Sequence, residues 1–460
     1  MAAAKRGRVV PVFILSRDQE EPGRNLGGAS KWWLNQSLGH LEQALESLGS
    51  RLILRSGSPL EELETLCSEV GADGLVWHRG YEPQELILEK RVEERFRGEL
   101  EIVKAYPGRL LIEPSELRNQ SGGPFKVFTP FWKRCIQGLS PSAPLGRPAN
   151  LESPSRWPKS ERLSDWSLGP SIPWDAGMKE QWTPGESGAR EQLKVLWGER
   201  LLNYSEERNR PDHAGTSRLS PYLHFGEISP RQVWAGLSRF ARQKGIPEPV
   251  WKGWQFVSEI GWREFAAYLL YHFPDTEREP LRQEFTRFPW DNERTHLRAW
   301  KKGLTGYPIV DAGMRELWHL GWMHNRVRMI VASFLVKHLL IPWQDGADWF
   351  WDTLVDADLA SNTLGWQWTA GCGADAAPYF RIFNPITQGE KFDPEGDYVR
   401  RWVPEIAGLP NKFLNRPWEA PPEVLDAAKL RLGLDYPNPV VDHREARQRA
   451  LAGYEQMRRT

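Results

Sequence analysis

Four short apolar runs rich in β-branched residues punctuate the first 139 residues: RVVPVFIL from Arg8, RLILR from Arg51, GLVWH from Gly74 and EIVKAY from Glu101. The segments between them carry helical periodicity. That alternation is the rhythm of βαβ units, so it predicts an α/β fold built on a doubly wound parallel sheet. In the first of these helices Leu34, Leu38, Leu41, Leu45 and Leu48 recur at three- and four-residue steps and form one apolar stripe for the sheet. No glycine-rich phosphate loop of the dinucleotide type follows any of the runs, so this half carries no ligand fingerprint of its own.

Beyond it the pattern changes twice. Residues 140–175 hold seven prolines (Pro141, Pro144, Pro148, Pro154, Pro158, Pro170 and Pro173) mixed with Ser and Gly, and no period survives there. Trp157, Trp166 and Trp174 in this stretch would be costly to leave in water, which predicts a connector wrapped on its neighbours. Past about Gly185 the period is helical, with LSPYL, ISPRQVW and TGYPIVDAGM each placing Ser or Tyr before a Pro suited to a first helical turn. The expected organisation is an α/β domain over 1–139, a linker over 140–185 and an all-α domain over 186–460. The tail from Ala427 reads as a charged, solvated helical segment.

Charge and cysteine content narrow the function classes. Lys plus Arg number 60 and Asp plus Glu number 60, so a polyanion must be met by a local basic face. Cys67, Cys135 and Cys372 are scattered and odd in number, which fits reduced thiols and gives neither a disulfide framework nor a metal cluster. RVVPVFIL is too short to span a bilayer and MIVASFLV is bounded by Arg328 and Lys337, so a cytoplasmic chain with no membrane partner is expected. The 24 tryptophans and 11 tyrosines supply faces that stack on bases, on flavins or on one another.

Three stretches carry polarity where the period demands core. In GWMHNRVRM (321–329) Asn325 and Arg328 share one helix face, and Arg326 and Met329 the next. A buried guanidinium needs a carboxylate or a polar ligand, since leaving it unpaired costs several kcal/mol. Asp356, Asp358 and Asn362 in DADLASNTLGWQW, followed by Trp366 and Trp368, are the candidate partners. An ion pair that merely joins two helices would leave the same trace. In SEIGWREF, Glu259 and Trp262 fall at i and i+3, setting a carboxylate beside a stacking platform. GTSRLS, residues 215–220, supplies hydroxyl and backbone donors before a helix start, as a phosphate site or as ordinary caps.

Taken in order, TSRLS, WREF, TGYPIVDAGMR, GWMHNRVRM, NTLGWQW and RIFNPITQGEKFD resemble the DNA photolyase and cryptochrome family. The likeness runs from KWWLNQSL near residue 31 to the tail and is greatest to class I cyclobutane pyrimidine dimer photolyases. It implies an α/β antenna domain, a long connector and a helical domain holding FAD. Tyr204, Thr216, Ser217, Arg218, Leu219 and Ser220 would grip the FAD phosphates and ribityl chain, and Phe256 stands on the adenine side where photolyases often have Trp. Asn325, Arg328, Asp356, Asp358 and Asn362 would surround the isoalloxazine ring, with Arg328 paired to Asp356 and Asn362 facing N5. Glu259, Trp262, Asn325, Arg326, Met329 and Trp368 match a pocket for a flipped-out cyclobutane dimer. Trp366, Trp343 and Trp300 match a relay that lets light reduce the flavin.

The implied reaction is light-driven: excited reduced flavin lends an electron, the cyclobutane splits, and the electron returns. Arg326, Arg381, Lys391 and Arg401 are candidates for DNA phosphate contacts, and a monomer is expected. An antenna pigment, methenyltetrahydrofolate or 8-hydroxy-5-deazaflavin among the options, is not identified by these residues. Family chains also begin with one more strand, central in their sheet, so a sheet lacking that strand is expected here. A cryptochrome-like photoreceptor without repair and a nonphotochemical flavoprotein remain open at this point.

Overall fold

The computed structural model describes residues 3–17, 25–379 and 381–459. Strands β1 (Val12–Ser16), β2 (Ile53–Gly57), β3 (Gly74–His78) and β4 (Ile102–Tyr106) fall on the four apolar runs. Helices α1 (Gly28–Glu46), α2 (Pro59–Val70) and α3 (Pro83–Phe96) connect them in turn. β1 pairs β2 in parallel, Val12 opposite Ile53, and β3 pairs β4 in parallel, Gly74 opposite Ile102. Among the described residues these are two separate two-stranded sheets rather than the single sheet expected from the alternation.

α1 is gripped from two sides. Leu34, Leu38 and Leu45 pack with Leu52 and Leu54 as the stripe predicts, while Leu41 turns outward. Trp32 and Trp33, on the other side, enter the helical half and donate to Asp175 Oδ2 at 2.8 Å and Glu227 Oε1 at 3.0 Å. The connector lies along β2 as expected: Glu161 N–H bonds Leu54 C=O at 2.8 Å, and Leu54 N–H bonds Ser160 Oγ at 2.9 Å. Its Trp166 is buried against Phe13.

Helix α4 (Phe128–Gly138) follows the α/β half in sequence, yet Phe131, Trp132 and Cys135 join the core of the helical half. Gly261 makes that approach possible, since a Cβ there would meet Trp132 Cδ2 at 2.6 Å. The helices that matter for function are Gln255–His272, Pro308–Leu320, Asn325–Ser333, Trp343–Thr353 and Leu359–Ala370. The first packs in the core that Trp32, Trp33 and α4 also enter, while the other four contribute to the larger core, with Trp300, Trp343 and Trp366 fully inside it. The tail helix His443–Arg459 buries Ala446, Ala450, Gly453 and Met457, so it is one-sided packing rather than a fully solvated segment.

One carboxylate fastens the halves together. Glu264, buried on the Gln255–His272 helix, accepts from Leu111 N–H at 2.9 Å and Ile112 N–H at 3.1 Å. Burial pushes its pKa up to about 7. A folded-state value above the unfolded one favours folding at low pH, and this contribution fades as pH rises through about 7. Glu264→Gln, which keeps the acceptor and removes the titration, should therefore gain stability relative to wild type between pH 5 and pH 8, by a few kcal/mol at most. Thermal unfolding midpoints at the two pH values check this; a constant gap would refute it.

Candidate functional site

Tyr204, Ser217, Leu219, Ser220, Phe256, Glu259, Arg328, Asp356 and Asp358, all singled out from sequence, line one cavity. Leu223, His224, Pro230, Val233, Ile260, Arg263 and Ser361 complete its wall. The local chemistry explains why. Gly215 allows the GTSRLS turn to press against Glu207, whose carbonyl oxygen would lie 2.4 Å from a Cβ there, and Arg218 adopts a left-handed φ of 51°. The chain then enters the short helix Ser220–His224 with Pro221 in its first turn, as LSPYL predicts. Phe256, Glu259, Ile260 and Arg263 follow at three- and four-residue steps and so present one face of the Gln255–His272 helix.

The half-buried guanidinium of Arg328 finds the expected partner. Arg328 Nη2 donates to Asp356 Oδ1 at 3.0 Å and Oδ2 at 2.9 Å, and its Nε donates to Met323 C=O at 2.8 Å. Ser220 Oγ donates to Asp356 Oδ2 at 2.6 Å, so three separate segments meet on one carboxylate. Asp358 accepts from Ser361 N–H at 2.8 Å and caps the Leu359–Ala370 helix. Burial would push Asp358 up, but Arg263 and His224 hold it below the usual carboxylate range. His324 accepts from Arg326 N–H on Nδ1, and burial together with Arg326, Arg208, Arg328 and Arg218 drives its pKa down to about 3. It is therefore neutral, and its Nε2 has no partner among the described residues.

These residues fit a large cofactor that is flat at one end and anionic at the other. Leu219, Leu223, Val233, Phe256 and Ile260 offer apolar wall, while Arg328, Asp356, Asp358, Arg263 and the Ser217 and Ser220 hydroxyls cluster as polar wall. Asn362 and Trp366 share a helix face by spacing; Asn362 spends its amide N–H on Ala347 C=O at 3.0 Å, and Trp366 Nε1 is buried without a partner among the described residues. Thr216 and Arg218 do not line the cavity. Thr216 offers its carbonyl to Arg200, and the Arg218 guanidinium lies over Trp322, 4.9 Å from the ring centre.

Beside the cavity, Glu259 Oε1 accepts from Gln255 Nε2 at 2.7 Å and from Arg208 at 2.8 Å, which leaves Oε2 for another donor. Arg208 was not singled out from sequence because its partner lies on another helix. Trp262 is half-buried, as are Met329 and Trp368, while Asn325 is exposed. Arg326 donates to Asn209 Oδ1 at 2.6 Å and to Met329 Sδ at 3.7 Å. Arg381, Lys391 and Arg401 are exposed.

All three tryptophans of the series are buried in the helical half. Trp366 and Trp300 meet edge to face with centroids 6.2 Å apart, and Phe350 bridges them. Trp300 is fully buried, and its Nε1 donates to Val331 C=O at 3.0 Å. Leu297 and Trp300 at i and i+3 mark the buried face of their helix, a signal present in the sequence. Trp290 is the half-exposed indole on the segment whose Asp291 N–H bonds Leu340 C=O at 2.7 Å, near Trp343.

A second groove, of about 1000 Å³, lies on another face of the helical half. Trp318 and Trp349 stand parallel there with ring centroids 6.0 Å apart, and Lys301 sits 4.7 Å above the Trp349 ring. Arg294, Arg298, Lys302, Arg315, His319 and Trp402 also line it. Sequence reading missed it, because its indoles come from different helices.

Comparison with known proteins gives the same picture. Residues 1–149 match the DNA photolyase family model and residues 256–456 match the FAD binding domain of DNA photolyase. The chain is 49% identical to a deoxyribodipyrimidine photo-lyase of Agrobacterium fabrum over 99% of its own length and 93% of the relative. It is 40% identical to cryptochrome-2 of Arabidopsis thaliana, covering 97% of this chain and 74% of that one. The crystal structure of a bacterial class III photolyase from Agrobacterium tumefaciens superposes with a TM-score of 0.95 at 48% identity, covering 100% of this chain and 94% of that one. That relative is described as class III, where the motifs had suggested greatest likeness to class I.

Asp356→Ala should strand Arg328 and Ser220 together, at a cost of about 3 kcal/mol for an uncompensated buried charge. Purified D356A should lose most of its flavin absorbance per protein and unfold at lower temperature; full flavin occupancy would show that the three-way tie does not shape the cavity.

Proposed function

Since the chain belongs to the DNA photolyase and cryptochrome family, we propose that it is a deoxyribodipyrimidine photo-lyase that uses light to split cyclobutane pyrimidine dimers in DNA. The observation that carries this is the adjacency of a cavity with apolar and polar walls and an aromatic side chain: Glu259 lines the cavity and Trp262 lies one turn away, half-buried. Bound FAD supplies light-driven one-electron chemistry. Tyr204, Ser217, Ser220, Arg328, Asp356 and Asp358 would hold it; Asn325 and Asn362, which the family resemblance assigns to the ring system, do not themselves line the cavity.

The remaining work belongs to side chains. A dimer inside a duplex cannot reach a buried cofactor, so it must leave the stack, at a few kcal/mol, less for damaged bases. Trp262 and Trp368 offset this by stacking, at roughly 1–3 kcal/mol per base. Glu259 Oε2 accepts from the base edge while Arg208 and Gln255 hold the other oxygen. Met329, steadied by Arg326, fills the floor beside them. Arg381, Lys391 and Arg401, exposed on a chain with no net charge, provide the local cationic surface for phosphates, so binding weakens with salt. No described helix is long and apolar enough to cross a membrane.

A flavin photoreceptor without repair is the second reading, favoured by the 40% identity to a cryptochrome. Illumination with an oligonucleotide carrying one thymine dimer separates the two: equal dimer loss in lit and dark samples would rule out the lyase. Glu259→Ala should slow repair at limiting substrate by tenfold or more while leaving flavin content intact, since one hydrogen bond to a charged group contributes about 1.5–3 kcal/mol.

The second groove is our site for the antenna pigment. A ring between two indoles needs them about 7 Å apart; Trp318 and Trp349 are parallel at 6.0 Å, so they would have to part slightly to admit one. Arg298, Lys301 and Lys302 suit a pigment with acidic groups. Trp318→Ala and Trp349→Ala should each release the pigment and its near-ultraviolet absorbance while flavin stays bound; retention by both variants would place the pigment elsewhere.

A further inference from the structure

The geometry points to Phe128 as a positioning residue for lesion binding, through its stack on Trp262. The inference rests on reading Trp262 as the platform for the flipped base. Phe128 opens α4, and its ring lies 3.8 Å from the Trp262 ring centre at 8° between planes, a face-to-face contact. Trp132, one turn further along α4, continues the near-parallel series at 13° from Phe128. Phe265 closes the edge of Trp262 at 5.9 Å. The indole is thus covered on one face by Phe128, braced at one edge and half-buried, and in this reading the flipped base takes its opposite face.

Two further features hold Phe128 in place. Gly261, the residue before Trp262, admits Trp132 where any Cβ would collide, so α4 sits close enough for the rings to touch. The start of α4 is also fastened to the loop that bears Arg381: Phe128 N–H donates to Asp375 Oδ2 at 3.3 Å, and Asp375 N–H donates to Lys126 C=O at 3.1 Å. Asp375 takes a left-handed φ of 47° to make both contacts. An indole already stacked on its far face has surrendered its rotamer freedom before the base arrives, so base stacking costs less ordering. Phe128 touches neither substrate nor cofactor in this arrangement. It acts through Trp262 alone.

The test uses flavin-loaded protein and an oligonucleotide with one thymine dimer, beside its undamaged twin. Phe128→Ala should weaken dark binding of the dimer strand roughly three- to tenfold, with binding of the undamaged strand, flavin content and repair rate at saturating substrate unchanged. Phe128→Tyr should restore affinity, since it keeps the flat ring; Phe128→Leu should not, and this Leu and Tyr pair carries the test if the Ala variant fails to fold. Wild-type affinity in F128L or F128A, or weak binding by F128Y, overturns the inference. If wild-type protein itself does not prefer the dimer strand, the photolyase reading fails, which is a distinct outcome from preference that survives loss of the ring.

Discussion

Everything at the cavity depends on one buried carboxylate. Asp356 receives Arg328 on both oxygens and Ser220 on one, and so joins the Asn325–Ser333 helix, the start of the Ser220–His224 helix and the segment leading into Leu359–Ala370. Removing the charge from either partner leaves the other stranded in a poorly solvated site, where the penalty exceeds the net worth of the pair. The tie therefore does more to fix positions than to add stability. With it in place, the polar wall faces the apolar wall across a gap that no side chain of the described residues fills.

A second constraint is the close approach of the two halves. Glu264 pins the Leu111–Ile112 backbone, Trp32 and Trp33 cross from α1 into the helical core, and α4 lies against the Gln255–His272 helix. The α/β half is thus a structural neighbour of the site rather than a separate appendage. It buttresses the very helix that carries Glu259 and Trp262. The separation of its strands into two pairs does not loosen this contact, because the contact is made by helices and the Leu111–Ile112 loop and not by sheet edges.

Much of the site was legible before any coordinates. Nine of the residues named from sequence share one cavity, and Arg328 meets Asp356 as a buried guanidinium requires, since few partners satisfy it. Spacing also placed Glu259 near Trp262, because i and i+3 share a face whatever the tertiary fold. Failures came where a residue's environment depends on another element. Leu41 left the stripe it completes on paper, and Arg218 turned away from the cavity towards Trp322.

The sequence by itself determined the local terms: four strands at four apolar runs, helix starts at Ser–Pro and Tyr–Pro, a buried cation in need of an anion, and family motifs in order. These follow from periods and from desolvation, which act within a few residues or on a group alone. Only the tertiary structure decided what lies across each face: Arg208 on Glu259, Trp318 beside Trp349, Phe128 on Trp262. Such pairs join residues far apart in the chain, and no local period records which distant helix will arrive there.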